Sequence, residues 1–181
     1  MPRLFTGLEI PHDVGFALSL KRGGLHGARW IDPSDYHITL RFIGDVDAPA
    51  ANDIVDNLER LSKSLTFDLR LTQIDSFGGD KPRALYASVE PSEGLNRLQA
   101  AHERVIQQAG LAPEGRKFVP HVTLARLRGV SANEIARFLS EAPRFEPLCF
   151  TPTRFVLYSS RDSVGGGPYI IEDSFPLSPT A

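Results

Sequence analysis

The sequence predicts an α+β fold of antiparallel sheets, organised over residues 1–181 as one domain of two related lobes. Two patterns and one repetition carry this reading. Strand-like segments come in pairs joined by short turns, and helical segments do not follow every strand, as a doubly wound parallel sheet would require. A short motif also occurs twice, as HITL at 37–40 and HVTL at 121–124. Two accidental copies of His-x-Thr-Leu would arise in only roughly three of ten thousand shuffled sequences of this composition. The motif therefore marks two equivalent places in the fold.

Residues 3–10 are apolar and bounded by Pro2 and Pro11, which predicts a strand. A helix from about 13 to 21 follows, stopped by Gly23 and Gly24. Segments 28–31 and 36–43 read as strands parted by the turn residues Asp32, Pro33, Ser34 and Asp35. Ile54, Val55, Leu58 and Leu61 form the apolar stripe of a helix over 50–61. Phe67, Leu69 and Leu71 then alternate with Asp68, Arg70 and Thr72, and a further strand, 84–89, follows the turn GGDKP. Ser92 is a cap for a helix over 92–109, with Leu95, Leu98, Val105 and Ile106 on its apolar side and Gly110 at its end. The second motif sits in a strand over 118–127. Ser131 and Glu134 form a capping box for a helix through 139. Strands near 154–158 and 169–171 close the chain, with Gly165, Gly166 and Gly167 turning between them.

Composition narrows the function. A formal net charge of -2 over 181 residues gives no general attraction to polyanions, so any nucleic acid must meet a local patch. One is visible: no acidic residue lies between Glu114 and Glu134, while Arg116, Lys117, Arg126 and Arg128 do. The single cysteine, Cys149 in LCF, is expected to be a buried small hydrophobe in a reducing compartment. The opening MPRLFTGLEIPHDV lacks the apolar core of a signal peptide, and no run approaches the ~18 apolar residues of a membrane span. A cytoplasmic location, no membrane association and no obligate protein partner are expected. Neither a Walker loop nor GxGxxG is present, so no nucleotide cofactor is implied.

In a strand, residues two apart share a face, so His37 and Thr39 project together, as do His121 and Thr123. Brought together by the fold, the copies would offer two imidazoles and two hydroxyls around one centre. That set suits in-line displacement at phosphorus: one histidine takes a proton from water, the other gives one to the leaving oxygen, and the hydroxyls bind nonbridging oxygens. Zinc is the weaker alternative, because neither copy has a further ligand at short spacing. Arg41 shares the face of His37 and Thr39 by alternation and is a further candidate for the phosphate. His12, His26 and His102 read as surface or boundary residues. Phe42 should point inward, leaving Trp30, Phe118 and Tyr158 as aromatic side chains to watch for base stacking.

The motifs in their contexts, RWIDPSDYHITLRFIGDV and GRKFVPHVTLARLRG, together with RLFTGLEIP, PRALYASVE and VLYSSRDSVGGGPYIIEDSFPL, resemble the RNA 2′,3′-cyclic phosphodiesterases. That family is also called 2′-5′ RNA ligase and belongs to the two-histidine phosphoesterases. The resemblance, which spans nearly the whole chain, implies two lobes, each an antiparallel sheet with helices on its outer face and the active cleft between them. It implies metal-independent opening of an RNA terminal 2′,3′-cyclic phosphate to a 2′-phosphate, with reversible 2′-5′ ligation in some members, and no cofactor. By that resemblance His37 is the proton donor and His121 the proton acceptor, while Thr39, Thr123 and Arg126 bind the phosphate. Arg126 lies off the alternating face of His121, so its role requires a twist or bulge in the strand. A noncatalytic module binding a nucleotide or RNA end is one alternative. A phosphodiesterase for a small cyclic nucleotide or a 2′-5′ oligonucleotide is another.

Overall fold

The structure is a computed structural model that describes residues 3–160 and 167–179. Nine strands and four α-helices follow one another among these residues: β1 (Arg3–Glu9), α1 (His12–Ser19), β2 (Ala28–Trp30), β3 (His37–Asp45), α2 (Ala48–Glu59), β4 (Leu69–Phe77), β5 (Ala84–Val89), α3 (Glu93–Gln108), β6 (His121–Leu127), α4 (Ala132–Glu141), β7 (Leu148–Phe150), β8 (Arg154–Ser160) and β9 (Ile170–Pro176). A short 3-10 turn, Pro33–Asp35, occupies the expected turn before β3.

Side-chain caps start three of the helices, and two of these caps, Ser92 and Ser131, are the ones the sequence predicts. Asp47 accepts from the Ala50 amide, Ser92 from the Leu95 amide, and Ser131 with Glu134 forms the complete capping box of α4. Each cap satisfies amides that the first helical turn leaves unpaired.

Every pair of these strands is antiparallel, in the order β7-β4-β5-β6-β3-β1-β8-β9, with β2 added along β6. One half of this path is β7-β4-β5-β6 and the other is β3-β1-β8-β9. They join through the single residue pair Ile38↔Val122. The same core runs beneath both halves: Leu8, Ile38, Leu40 and Phe155 belong to one buried cluster with Leu71, Ala87, Val122 and Leu124, against Leu95 and Leu98 of α3. Gly7, on β1 opposite Thr39, lets the strands approach at this joint, since a Cβ there would lie 2.7 Å from the Ile38 carbonyl oxygen.

Three sequence expectations change. β7 pairs with β4 where no strand is predicted, because its three residues are too few for alternation to show. Cys149 in that edge strand is exposed rather than buried, because Phe150 takes the inward position beside it. The tail strand extends to Pro176, beyond 169–171, as β9 pairs along β8. Gly165 and Gly166 lie outside the described residues.

Because the joint rests on one pair over a fully buried Ile38, Ile38→Ala removes most of a core side chain where the halves cannot close independently. The expected loss is about 2–5 kcal/mol, read by urea denaturation.

Candidate active site

The joint positions the two motifs. Antiparallel order on either side of Ile38↔Val122 directs His37 toward Thr123 and Thr39 toward His121. The two imidazoles are close enough for the charge of His121 to act on His37. His37, Thr39, His121 and Thr123 are all half-buried, with Ile38, Leu40, Val122 and Leu124 in the core beneath them.

Both rings are held in the same way. His37 Nδ1 lies 2.9 Å from the Asp35 carbonyl oxygen, and His121 Nδ1 lies 2.7 Å from that of Val119. A carbonyl only accepts, so each Nδ1 carries the proton and each Nε2 is left for chemistry. Thr39 Oγ1 is 3.0 Å from His37 Nε2. Aromatic rings complete both settings. Phe5, Tyr158 and Tyr169 surround His37 at centroid distances of 5.1, 5.4 and 5.0 Å, and Phe77 and Tyr86 flank His121 at 4.8 and 5.4 Å. Phe5 and Tyr158 come from β1 and β8, and Tyr86 and Phe77 from the equivalent neighbours β5 and β4, while Tyr169 stands just before β9.

These walls strip water from the imidazoles. Burial pushes His37 down to about 4; the bond to Asp35 opposes it, and the charges of His121 and Arg126 lower it further. Burial also lowers His121, with Arg126 adding to it against the Val119 bond. In the free protein both imidazoles therefore favour the neutral form near pH 7.

Arg126 reaches this centre through a bulge. The pairing of β5 with β6 shifts between Leu85 and Tyr86, so that Tyr86 opposes Thr123 while Leu85 opposes Ala125. Leu124 and Ala125 are consecutively buried, and Arg126 turns outward on the face of His121 and Thr123. The same irregularity occurs on β3, where the register shifts between Thr6 and Gly7 and Leu40 is passed over. There the consequence is opposite for the arginine. Arg41 turns inward at 6% exposure, pairs with Glu103 of α3, and donates to the Phe42 carbonyl and, at 2.6 Å, to the Ala112 carbonyl. The structure thus does not bring Arg41 to the histidines; simple alternation fails at the bulge. Phe42 correspondingly stands on the outer face, 43% exposed, rather than inward.

His12 and His26 are exposed, as expected, but His102 is fully buried, 2.9 Å from Thr6 Oγ1 and stacked edge-on to Phe155, with its pKa lowered by burial to about 3. Trp30 packs against Phe138, Phe118 against the main core, and Tyr158 against His37. Sequence reasoning does not find Phe5, Phe77, Tyr86 and Tyr169 as walls. Their signal exists only as membership of strands neighbouring the motifs. A cavity of ≈ 500 Å³ beyond Tyr158 and Tyr169 is lined by Glu9, His12 and Asp32 among others, and its Glu9 carboxylate is paired with Arg154. Arg126 is a cation whose charge acts on both histidines. Among the described residues no three His, Cys, Asp or Glu side chains form a metal-sized cluster.

Arg41 and Glu103 tie β3 to α3, so Arg41→Ala should leave Glu103 without its cation and the Phe42 and Ala112 carbonyls without a donor, destabilising the fold by about 1–3 kcal/mol in chemical denaturation. The KM of the folded variant should stay within a factor of about two of wild type, since the Arg41 donors are directed at Glu103 and at carbonyls away from the cleft.

A model of the 2′-5′ RNA ligase superfamily matches residues 22–163. The RNA 2′,3′-cyclic phosphodiesterase of Bacillus subtilis (strain 168) is 32% identical over 130 residues, covering 69% of this chain and 71% of that protein. The protein of that name from Thermotoga maritima is 30% identical over 168 residues, covering 87% and 86%. Among solved structures, TT0787 of Thermus thermophilus superposes with a TM-score of 0.79 at 26% identity over 97% of each chain. LigT of E. coli in complex with 3′-AMP shares the fold, with a TM-score of 0.77 at 24% identity over 98% of this chain and 99% of that one.

Proposed function

We infer that this chain, which belongs to the 2′-5′ RNA ligase superfamily, hydrolyses the 2′,3′-cyclic phosphate at an RNA end to a 2′-phosphate by paired histidine acid–base catalysis. The observation that carries the reading is the matched anchoring of His37 and His121, each with its Nδ1 proton given to a carbonyl two residues back. Both Nε2 atoms are then available on one cleft. Relatives that carry the name of this activity at 30% and 32% identity support it.

The cyclic phosphodiester is a monoanion, placed between the imidazoles with its nonbridging oxygens on Thr39, Thr123 and Arg126. His121 Nε2 removes a proton from the attacking water. As the water oxygen bonds to phosphorus, the bond from phosphorus to O3′ breaks, and His37 Nε2 delivers its proton to O3′. The product carries a 2′-phosphate and a 3′-hydroxyl, and solvent exchange returns both histidines to their starting states. Depressed proton affinity makes a protonated His37 a ready donor, and the negative phosphate supplies the charge that populates that form. Replacing water by the 5′-hydroxyl of a second RNA leaves every proton transfer unchanged and yields a 2′-5′ link, so ligation uses the same residues. The exposed face of Phe42 offers a surface for an unpaired base. The required groups are all supplied by the chain, and a cytoplasmic setting with a lone, reduced Cys149 suits it.

Hydrolysis of a short RNA ending in a 2′,3′-cyclic phosphate, assayed in excess chelator, should proceed and give the 2′-phosphate isomer. His37→Ala and His121→Ala should each lower kcat by about 10²–10⁴-fold. Binding of the RNA end retained by a folded wild type that does not turn it over would leave only a binding module.

The pH dependence has a definite sign. Both imidazoles are lowered in the free protein, so the fall of kcat/KM with rising pH should begin below the ordinary imidazole value of about 6.5. In kcat the bound phosphate favours the imidazolium, so the same limb should move to higher pH. Identical positions for the two limbs would contradict this coupling.

A further inference from the structure

Asp35 meets the surroundings of His37 with two different groups. Its backbone carbonyl accepts the Nδ1 proton of His37 at 2.9 Å, and its carboxylate Oδ1 accepts the Tyr169 amide at 3.2 Å from the far end of the chain. The Tyr169 ring stands edge-on to the His37 imidazole at 5.0 Å, and Phe5 and Tyr158 supply the rest of that wall. The segment before β9 lies close on the Asp35 carboxylate. Gly167 there has a φ of +88°, and a Cβ at that position would collide with the carboxyl group. Burial raises Asp35 above its ordinary carboxylate value, with the Tyr169 bond opposing and the charge of Asp32 adding.

We propose that Asp35 is a positioning residue of the reaction, whose carboxylate fastens residues 167–169 to the turn that orients His37 and so holds the Tyr169 ring against the imidazole. One residue then fixes both the direction of the proton donor and the dryness of its setting. The role rests on the paired-histidine reading and deepens it, since it names what keeps the wall of His37 in place. Among the described residues, the charged and titratable groups about His37 are Asp35 on its own turn, Glu9 opposite it on β1 and paired with Arg154 of β8, Tyr158, Tyr169, and His121 and Arg126 of β6. Replacing Asp35 removes a negative charge, which by itself disfavours the imidazolium, whereas losing the wall rehydrates the ring and favours it. Asparagine and alanine separate these effects. Both remove the charge, but only asparagine keeps a side-chain oxygen to accept the Tyr169 amide.

The test follows the His37 ring signal by NMR titration in wild type, Asp35→Asn, Asp35→Ala and Tyr169→Ala, and pairs it with kcat/KM against pH on a short RNA ending in a 2′,3′-cyclic phosphate. His37 should titrate higher in Asp35→Ala than in Asp35→Asn by about one pH unit or more, and the falling limb of kcat/KM should move with it. His121, walled by Phe77 and Tyr86, should move far less. In a Tyr169→Ala background the difference between alanine and asparagine at residue 35 should vanish, because the ring through which Asp35 acts is gone. Equal His37 titration in the two Asp35 variants, or a difference that persists without the Tyr169 ring, would overturn the role while leaving the hydrolase reading intact. So would a kcat/KM limb that stays in place while the His37 titration moves. A folded wild type that hydrolyses no cyclic phosphate would instead remove the hydrolase reading, and the positioning role with it.

Discussion

The site depends on one backbone contact, the antiparallel pairing of Ile38 with Val122. Each half of the sheet could form its own hydrogen bonds without the other, but neither half alone has two histidines on one face. Pairing residue 38 with 122 sets the register of both motifs at once, because a slip by one residue would turn a histidine into the core. The isoleucine and valine at the joint are completely buried, so hydrophobic burial and register specification are the same event there.

Around this joint the molecule builds the same environment twice. A carbonyl two residues before each histidine fixes the ring tautomer, and aromatic side chains from the next two strands displace water. Dehydration lowers the proton affinity of both imidazoles, which makes a strong acid of whichever ring is protonated and leaves the other neutral and able to accept. The symmetry ends at the two bulges. On β6 the outward residue after the bulge is Arg126, a cation beside the cleft, whereas on β3 it is Phe42, an aromatic surface. One backbone device thus presents a charge on one side and an apolar plane on the other, as an asymmetric ligand with a phosphate and a base would require.

Arg41 shows how the same device serves stability. Turned inward, it would be an uncompensated buried charge, but Glu103 and two carbonyls accept its protons. Glu103 also accepts from the Glu114 amide, so the pair fastens the end of α3 and the connection that leads to β6 and His121. His102 and Thr6 make a second buried polar contact between α3 and β1. These polar ties place the helix on the face opposite the cleft.

Much of the fold is legible in the sequence because its signals are local. Caps at Ser92 and Ser131, the stripe of Ile54 and Leu58, and alternation at Leu69 and Leu71 each act within a few residues. The twin motifs are legible for the same reason, and their flanks carry the family resemblance. Alternation extended through Leu40 misplaces Arg41 and Phe42, and burial assigned from composition misplaces Cys149. Residue type and a two-residue period are properties of the chain alone, and they suffice to pick out the chemistry-bearing residues and the face that each motif strand gives them. That the two motifs meet, and that Arg126 joins them while Arg41 does not, became definite only on folding. Strand register and bulges arise from pairing between segments far apart in the chain, where no local pattern records the partner.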